Sequence, residues 1–470
     1  MFELIFKIVF KTNWNMIVMK FGGTSVADCA AISRTIEIIR KRLPERPVVV
    51  VSALSKVTDL LYRISDAAKK RNFEDASALL RQLRSRHLTL AEELISQSES
   101  IDKGSILEDA LRRVNEICDK LSHFIEAVCE LGELSDRSKA VIIGNGEYLS
   151  SNIICCAMNA RGISTRLMDS RKMIITNADF LKGEPKQDLI SIKVNAEVSS
   201  HYTDCEAVIT QGFVSATEDG EPTVLGRGGS DYTASLIGMA VGAQRIEIWT
   251  DVDGVKTADP RKVEGTRSLE RISFEEAAEM AHFGAKVLHP MTIEPAVKKN
   301  IPIYVLNSIN PDGKGTVILQ NSFIDDGVKS VSSKENILVI NIFSTKMINV
   351  AGFLMSVFEI FSRNNVSVDL ISTSEANISV TVDASQNVDN VIRELSSFAD
   401  VYVDRDKAQV SVIGKNLDNV TGILEKTFAP LSDYRIYMIS QGASYVNISF
   451  VVDRTALDKV VSLLHRSLFG

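Results

Sequence analysis

The sequence contains few cysteines and no excess of positive charge, and each shortage excludes a class of protein. None of its six cysteines forms a C-x-x-C pair, and none lies beyond Cys205. The disulfide framework of a secreted protein would be distributed differently, so we expect a reducing compartment and a cytoplasmic location. The formal net charge is −7, whereas a protein that holds nucleic acid through phosphate contacts has a basic surface. We therefore expect no nucleic-acid partner.

Several other features are also missing. No run of about 18 apolar residues occurs, so we expect no membrane-spanning helix and no membrane partner. The six histidines are scattered, and the acidic loop at 251–259 lacks the later glutamate of an EF-hand. We therefore predict no metal site built from side chains alone. No phosphate-binding loop of the form G-x-x-x-x-G-K-[ST] is present.

The first 15 residues form an apolar stretch that Lys7 and Lys11 interrupt. This stretch lacks the long apolar region and the small-residue cleavage site of a signal peptide. Because Met16 directly precedes the first predicted strand, we interpret 1–15 as a short arm or a misassigned start. A weak signal-like segment is the alternative.

With 470 residues the chain is too long for one compact core, so two or three domains are expected. Its first two-thirds alternates apolar, β-branched runs with segments of helical spacing. This alternation predicts an α/β fold with a mostly parallel sheet sandwiched by helices, which we place at 16–320. The predicted strands are 16–21, 47–51, 140–143, 207–210, 245–249 and 301–306, and the predicted helices are 30–43 and most of 59–132.

From about residue 336 the sequence repeats itself. The stretch NISVTVD at 377–383 matches NISFVVD at 447–453, and two shorter matches fall in the same order in both copies. Each copy has the strand and helix pattern of a small ferredoxin-like α+β domain. We place these domains at 336–406 and 407–470, with a strand near 328–343 as a candidate to complete the second. A chance likeness between strands rich in Ile, Val and Ser is the alternative.

The segment Lys20-Phe-Gly-Gly-Thr-Ser25 is predicted to bind phosphate. Two glycines after a strand let phosphate oxygens approach the backbone, and the hydroxyl groups that follow are expected to cap a helix whose N-terminus attracts anions. Lys20 supplies a positive charge. A plain strand-to-helix turn is the alternative interpretation.

The segment Leu225-Gly-Arg-Gly-Gly-Ser-Asp-Tyr-Thr233 is predicted to bind an amino acid. Its glycines allow a ligand to approach closely, and the planar fork of Arg227 suits a carboxylate. Asp231 can hold an ammonium group. An arginine for the carboxylate beside an acid for the amine is the pair that an α-amino acid requires, and a solvated turn is the alternative.

Two further segments follow predicted elements. The loop at 249–261 (WTDVDGVKTADPR) lies at the end of a strand, where ligands of open α/β sheets bind, so it suits a nucleotide. In FGAKVLHP at 283–290, a lone lysine such as Lys286 usually faces solvent, and His289 is interpreted as a structural hydrogen-bonding residue. Two short loops, 52–58 and 144–147, each place one polar side chain after a predicted strand.

Taken together, these motifs resemble those of the aspartate kinases of the amino-acid kinase family. The order K-F-G-G-T-S, S-A-x-x-x-x-T, G-x-G-E, G-R-G-G-S-D, W-T-D-V-x-G and F-G-A-K-V-L-H-P is specific as a set, and the similarity extends from Met16 to Gly470. The chain looks like the lysine-sensitive, single-function type, whose C-terminal pair consists of ACT domains. We expect no fused homoserine dehydrogenase, because no G-x-G-x-x-G unit follows the tail.

The resemblance implies a role for each matching residue. Lys20, Arg227, Asp231 and Lys286 are implied to be catalytic. The residues implied to contact aspartate are Thr58, Glu147, Phe213, Arg227, Ser230 and Asp231. Those implied to lie around ATP are Lys20, Gly22, Gly23, Thr250, Asp251, Lys256, Arg261 and Lys286. Those implied to line an effector site for an amino acid, L-lysine by resemblance, are Met347, Gly352, Phe353, Leu354, Ser367, Val368, Asp369, Ser374 and Glu375.

The implied reaction is ATP-dependent phosphorylation of the L-aspartate side chain, the first step of the lysine, threonine and methionine pathway. An aspartate carboxylate is already ionised at neutral pH, so it needs positioning and charge compensation rather than a general base. We assign charge compensation to Lys20 and Lys286, with Mg²⁺ bound through the nucleotide phosphates. ACT-like sheets usually pair side by side, which implies a homodimer or tetramer.

The sequence departs from the family at three positions. Asn145 lies in the G-x-G-E loop, Lys256 replaces a tyrosine near the nucleotide base, and Val350 replaces a serine at the effector site. Two alternatives to aspartate kinase activity stay open at this point. One is a kinase for another acid, such as glutamate or N-acetylglutamate, and the other is a non-catalytic amino-acid sensor.

Overall fold

A computed structural model describes residues 15–284, 290–320, 325–348, 351–442 and 444–470. Its strands are β1 (Ile17–Phe21), β2 (Pro47–Val51), β3 (Thr165–Met168), β4 (Ala207–Gln211), β5 (Val214–Ala216), β6 (Pro222–Val224), β7 (Arg245–Thr250), β8 (Arg271–Ser273), β9 (Ile303–Asn307), β10 (Thr316–Leu319), β11 (Gly327–Phe343), β12 (Ile371–Thr373), β13 (Asn377–Asp383), β14 (Asp400–Lys415), β15 (Met438–Ser440) and β16 (Asn447–Asp453).

Its α-helices are α1 (Cys29–Arg40), α2 (Val57–Lys69), α3 (Phe73–Ser96), α4 (Lys103–Leu131), α5 (Asp136–Ile143), α6 (Asn145–Ala160), α7 (Gln187–His201), α8 (Gly229–Val241), α9 (Phe274–His282), α10 (Pro290–Lys298), α11 (Phe353–Arg363), α12 (Asp389–Leu395), α13 (Ile423–Phe428) and α14 (Leu457–Phe469). The described residues form two compact units, one made of 15–254 and 290–320 and the other of 255–284 and the residues from 325 onward. Among the described residues, no helix is long and apolar enough to cross a membrane.

The first unit is built on a sheet in which seven strands follow the order β3-β4-β2-β1-β7-β9-β10. All neighbouring strands in this order are parallel except β9 and β10. Strands buried on both faces are continuous apolar runs, and the five residues of β2 are all fully buried. The α/β class with a mostly parallel sheet is therefore confirmed. Because these strands are parallel, the loops after β1, β2, β4 and β7 meet at one edge of the sheet.

In the first unit, helices α1, α3 and α5 begin at polar side-chain caps. The predicted helical region at 59–132 consists of α2, α3 and α4, and the Asn72 side chain caps α3 by accepting from the backbone N–H of Asp75. The predicted strand at 140–143 is wrong, because these residues end α5, which the Ser135 side chain caps. A short apolar run such as Ala-Val-Ile-Ile suits a buried strand or a buried helix face equally well, and the polar cap decides between them.

The second unit contains a six-stranded antiparallel sheet in the order β12-β13-β11-β14-β16-β15. Two of its strands are unusually long, because β11 has 17 residues and β14 has 16. Residues 337–343 of β11 pair with β13 of the first repeat, whereas 327–334 pair with the second half of β14. Each repeat thus uses part of both long strands, and the boundary that we place at 406/407 falls inside β14.

The segment 255–284 belongs to the second unit, although we place it in the kinase domain from the sequence. The backbone N–H of Val331 donates to the carbonyl of Thr257 at 2.8 Å, and the Thr257 hydroxyl lies 2.8 Å from Nε2 of His465. Ala258 and Val263 pack in the apolar core of the second repeat. The compact units therefore divide the chain differently from our domain boundaries, which remain a proposal.

Candidate active site

Two predicted catalytic residues meet in the first unit. Lys20 lies on the central strand β1, paired between Val50 of β2 and Ile248 of β7. Its ammonium Nζ lies 2.6 Å from Oδ1 of Asp231, and both side chains are largely buried. The structure thus joins the loop predicted to bind phosphate to the loop predicted to bind an amino acid.

The two glycines after β1 hold the phosphate loop against its neighbours. The backbone N–H of Gly22 donates to the carbonyl of Trp249 at 3.1 Å. A Cβ atom on Gly23 would lie 3.1 Å from the carbonyl oxygen of Ala53. An added Cβ would require the neighbouring backbone to shift slightly, so glycine suits this close approach of the loop to the backbone that follows β2.

The expected helix cap by a hydroxyl of this loop is wrong. The Ser25 hydroxyl lies 2.8 Å from that of Ser308 and donates to the carbonyl of Trp249. Helix α1 begins only at Cys29, and the carboxylate of Asp28 caps it by accepting from the N–H of Ala31. At the start of a helix, an Asp carboxylate accepts a hydrogen bond from a backbone N–H as well as a Ser or Thr hydroxyl does. Asp28, directly before the apolar run, was therefore the sequence signal for the N-terminus of α1.

Arg227 lies in an exposed loop between two glycines in the left-handed region. Gly226 has φ 72° and Gly228 has φ 73°, values that favour glycine. Among the described residues, the Arg227 guanidinium has no ion-pair or hydrogen-bond partner. Its five donors are therefore available to a carboxylate ligand.

Two further residues predicted to contact aspartate, Phe213 and Ser230, lie beside this loop, where the end of β4 approaches the start of α8. A Cβ atom on Gly212 would lie 2.6 Å from Cβ of Ser230, and one on Gly229 would lie 2.8 Å from the ring of Phe213. Phe213 itself is held at φ 67°, and its backbone N–H donates to the Thr233 hydroxyl at 3.1 Å. The two glycines allow this close approach, which groups Phe213 and Ser230 with Arg227 and Asp231.

Glu147 is a buried acid in the first turn of α6, only 3% exposed. Burial raises the pKa of its carboxyl to about 8, although hydrogen bonds from the backbone, the first from Ala53, act in the opposite direction. Its Oε2 atom has no hydrogen-bond partner among the described residues. Thr58 is half-buried in the first turn of α2, the helix that follows the Ala53 loop. A buried carboxyl oxygen without a partner among the described residues suits an ammonium group, which would favour the ionised carboxylate.

The predicted nucleotide residues divide between the two units. Thr250 ends β7, its carbonyl accepts from the N–H of Ser308 at 2.8 Å, and its hydroxyl donates to the exposed Asp251 at 3.2 Å. Lys256 and Arg261 belong to the second unit, where the Arg261 guanidinium is bound by Asp259. Lys286 and His289 lie outside the described residues.

The residues predicted to line the effector site lie in the first repeat of the second unit. Gly352 has φ 93° and precedes α11, where Phe353 is half-buried and Leu354 exposed. Ser367 exchanges two backbone hydrogen bonds with the Gln386 side chain. The other members, some exposed and some half-buried on the same repeat, are Met347, Val368, Ser374 and Glu375. Val350 lies outside the described residues.

Asp369 has two basic neighbours that sequence reasoning missed. Its side chain is 7% exposed, and its Oδ2 lies 2.6 Å from Nζ of Lys334. Its Oδ1 lies 3.6 Å from Nε2 of His282. These basic residues come from β11 and α9, far from Asp369 in sequence, and no local spacing pattern indicates them.

The described residues contain no group of three or more His, Cys, Asp or Glu side chains placed to hold a metal ion. Sites for Mg²⁺ in phosphate-transferring enzymes often use one or two carboxylates together with the nucleotide's own oxygens. The lone Asp251 at the end of β7 is compatible with that arrangement.

Comparison with known proteins identifies the family. Residues 15–307 match the amino acid kinase family, and residues 340–396 and 410–468 match the ACT domain. The chain is 34% identical to lysine-sensitive aspartokinase 3 of Escherichia coli, over 97% of this chain and 99% of that protein. It is 35% identical to the chloroplastic aspartokinase 1 of Arabidopsis thaliana, over 96% of this chain and 80% of that protein.

Solved structures agree with these matches. The crystal structure of E. coli aspartokinase III in complex with aspartate and ADP has a TM-score of 0.83 at 32% identity, covering 97% of this chain and all of that one. The complex of the same enzyme with lysine and aspartate has a TM-score of 0.78 at 33% identity, again covering 97% of this chain and all of that one. The chain therefore belongs to the amino acid kinase family, and within it to the aspartokinases that carry C-terminal ACT domains.

Proposed function

We propose that the protein transfers the γ-phosphoryl group of ATP to the side-chain carboxylate of L-aspartate, forming 4-phospho-L-aspartate. The observation that carries the proposal is the 2.6 Å pair between Lys20 and Asp231, which joins the phosphate loop to the amino-acid loop. Aspartate and ADP bound to the E. coli relative support the same two ligands here.

Phosphoryl transfer to a carboxylate needs positioning and charge compensation, because the acceptor is already ionised at neutral pH. In the unliganded site the ammonium of Lys20 is compensated by Asp231. Phosphate oxygens that enter the loop at Gly22 and Gly23 give Lys20 a second anionic partner. Lys20 then stabilises the charge on the transferring group, and the buried setting strengthens that interaction.

Recognition of aspartate uses three side chains with separate tasks. Arg227, which projects from an exposed loop, binds the α-carboxylate through its guanidinium fork. Glu147 is protonated in the empty site, and an ammonium group beside it lowers the pKa of its carboxyl and leaves it ionised. Asp231 completes the anionic surroundings of the amine. A substrate with an acetylated amine lacks the charge that this acidic pair requires.

We assign Mg²⁺ to the nucleotide phosphates, with Asp251, directly after β7, as a candidate carboxylate. Mg²⁺ held there would neutralise charge on the phosphate oxygens. Thr250, Lys256, Arg261 and Lys286 are assigned to the surroundings of the nucleotide.

We infer feedback control by L-lysine at the first repeat. The E. coli relative has been solved with lysine, and the resemblance assigns nine residues of this chain to an effector site in that repeat. We also infer a homodimer or tetramer through the ACT sheet. The two edge strands support this, because Ile371 of β12 and Ile439 of β15 are 46% and 45% exposed. The six cysteines are unpaired, which supports a reducing, cytoplasmic location.

One assay tests the proposal. Acyl phosphate is trapped with hydroxylamine while L-aspartate, L-glutamate and N-acetyl-L-glutamate are each supplied with MgATP. We expect product with L-aspartate only, and inhibition when L-lysine, but not L-threonine or L-methionine, is added. Product with a different acid would overturn the substrate assignment. Lysine binding without any turnover would indicate a sensor instead of an enzyme.

A further inference from the structure

The carboxylate of Asp369 in the second unit joins three elements of structure. Its own backbone N–H donates to the carbonyl of Thr381 in β13 at 2.9 Å. Lys334 reaches it from β11, and His282 reaches it from the last turn of α9. A carboxylate this deeply buried requires cationic or hydrogen-bonding neighbours. The groups that lie beside Asp369 therefore affect how β11, β13 and α9 fit together.

The two cationic contacts differ in strength. Lys334 forms a short contact at 2.6 Å and also lies 3.6 Å from Asp383, so two acids hold it in place. His282 is 49% exposed, and its 3.6 Å separation from Asp369 is longer than a hydrogen bond. The imidazole is therefore the partner that another cation can replace most easily.

Helix α9 is joined to β11 at this point. Gly284 follows the helix with φ 110°, and a Cβ atom there would lie 2.1 Å from the carbonyl oxygen of Ser333, next to Lys334. The ring of Phe283 meets the imidazole of His282 edge to face, with centroids 4.7 Å apart. The same stretch of chain continues directly to Lys286, which is assigned to the nucleotide.

The second repeat has no equivalent acid. The match of Leu370-Ile-Ser with Met438-Ile-Ser places Tyr437 where the first repeat has Asp369. The Tyr437 hydroxyl donates to Asp453 at 3.0 Å, and Lys407 lies 2.8 Å from the same carboxylate. In the second repeat Lys407 therefore contacts one carboxylate, whereas in the first repeat Lys334 contacts two. Among the described residues, the first repeat therefore places one more carboxylate beside its lysine than the second repeat does, and His282 contacts that carboxylate.

We propose that His282 is a positioning residue that couples effector binding to the end of α9. Its imidazolium holds the end of α9 on Asp369. The ammonium group of a bound effector takes the place of the imidazolium beside Asp369 and releases the helix end. This inference rests on the proposed feedback by lysine.

The charges around His282 determine how this exchange depends on pH. Asp369 and Lys334 face the imidazole from other elements, Asp383 lies beyond Lys334, and Glu279 lies on α9 itself, where Asn447 and Ser444 bind its carboxylate. A protonated imidazole competes with a cationic effector for Asp369, and a neutral one does not. Histidine side chains change charge between about pH 5 and 8, so acid should weaken the binding of lysine.

The test compares the wild-type protein with His282→Gln, which removes the charge from the imidazole position. Isothermal titration with L-lysine is carried out from pH 6 to pH 8, together with inhibition assays. We expect the wild-type Kd to be about 4-fold weaker at pH 6 than at pH 8, as competition with a protonated histidine side chain gives. His282→Gln should bind lysine with a nearly constant Kd, and lysine should inhibit its turnover less completely.

Nuclear magnetic resonance of the imidazole provides a readout independent of activity. With only six histidines in the chain, His282→Gln identifies the signal by its loss. We expect saturating lysine to move the titration midpoint of this imidazole to lower pH. Lysine binding with an unmoved midpoint and an unchanged pH profile in His282→Gln would overturn the inference while leaving feedback intact. A failure of lysine to bind at any pH would overturn the proposed feedback itself, and this inference with it.

Discussion

Gly146 and Ala53 approach so closely that a Cβ atom on the glycine would lie 2.7 Å from Cβ of the alanine. This contact fits the first turn of α6, which carries Glu147, against the loop after β2. The same imagined atom would lie 3.2 Å from Val57 and 3.3 Å from Leu61 in α2. Glycine is thus required here by space and not by backbone conformation.

Gly146→Ala should destabilise the protein and lower its activity. Alanine ordinarily stabilises a helix by about 1 kcal/mol relative to glycine. Overpacking a rigid core costs roughly 1–3 kcal/mol, so we expect a net loss of up to about 2 kcal/mol in the free energy of unfolding. Urea denaturation measures this loss, and kcat/KM for aspartate reports the displacement of Glu147. Gly104→Ala is the matched control, because no atom lies within 4 Å of its added Cβ in α4, and it should be neutral or stabilising.

Lys20→Ala should lower kcat by a factor of roughly 10² or more, as loss of one preorganised charge contact does. The variant also leaves Asp231 largely buried without its cation, so its stability should fall. The double variant Lys20→Met/Asp231→Asn removes both charges, and we expect it to regain stability but not turnover. Lys41→Ala, an exposed lysine, serves as the control. An unchanged kcat in Lys20→Ala would contradict the assignment.

Binding of L-aspartate at pH 7 should release about one proton per site, because the carboxyl of Glu147, with a pKa of about 8 in the empty site, ionises beside the ammonium group. Calorimetry in buffers of different ionisation enthalpy measures this number. Glu147→Gln should bind aspartate more weakly and release no proton. An equal release from both proteins would place the titrating group elsewhere.

The same carboxyl should make the empty protein less stable as the pH rises. Between about 4.5 and 8 the unfolded carboxyl has lost its proton while the folded one keeps it, so the unfolded state binds fewer protons. The free energy of unfolding then declines by up to about 1.4 kcal/mol per pH unit from this group. Above about pH 8 the decline ends. The difference between wild type and Glu147→Gln isolates this effect, and Glu130→Gln on an exposed position of α4 should follow the wild type.

Arg227→Ala should raise KM for aspartate at least tenfold, since a hydrogen bond to a charged group contributes roughly 1.5–3 kcal/mol. Arg227→Lys should recover only part of this affinity, because an ammonium group cannot bind a carboxylate through two parallel hydrogen bonds. The exposed guanidinium contacts no acid among the described residues, so neither variant should change the melting temperature. A large loss of stability would indicate a structural role.

The sequence predicts most accurately those features that depend on residues close to one another along the chain. The strand at 47–51 is found with its bounds intact, because five consecutive apolar residues, four of them valines, describe a strand buried on both faces. The run at 140–143 is equally apolar, and only the tertiary packing and the Ser135 cap make it helical. The segments around Lys20 and Arg227 also stand out in the sequence, because glycines and charges at short spacings are typical of loops that bind ligands.

Contacts between distant parts of the chain leave no such pattern. The pairing of Lys20 with Asp231 depends on the parallel order of β1 and its neighbours. The contact of Ser25 with Ser308 and the meeting of His282 with Asp369 likewise depend on how elements pack. The local sequence of these residues does not indicate which distant residue each one contacts, so their partners become known only from the fold.

The two long strands of the second unit have a consequence for how that unit folds. Because β11 and β14 each contribute residues to the sheets of both repeats, neither repeat forms a complete sheet by itself. A chain shortened after the first repeat would expose an unpaired strand edge, which favours aggregation. The two repeats must therefore fold and unfold in one cooperative transition. A ligand that binds to one repeat then also stabilises the folded state of the other.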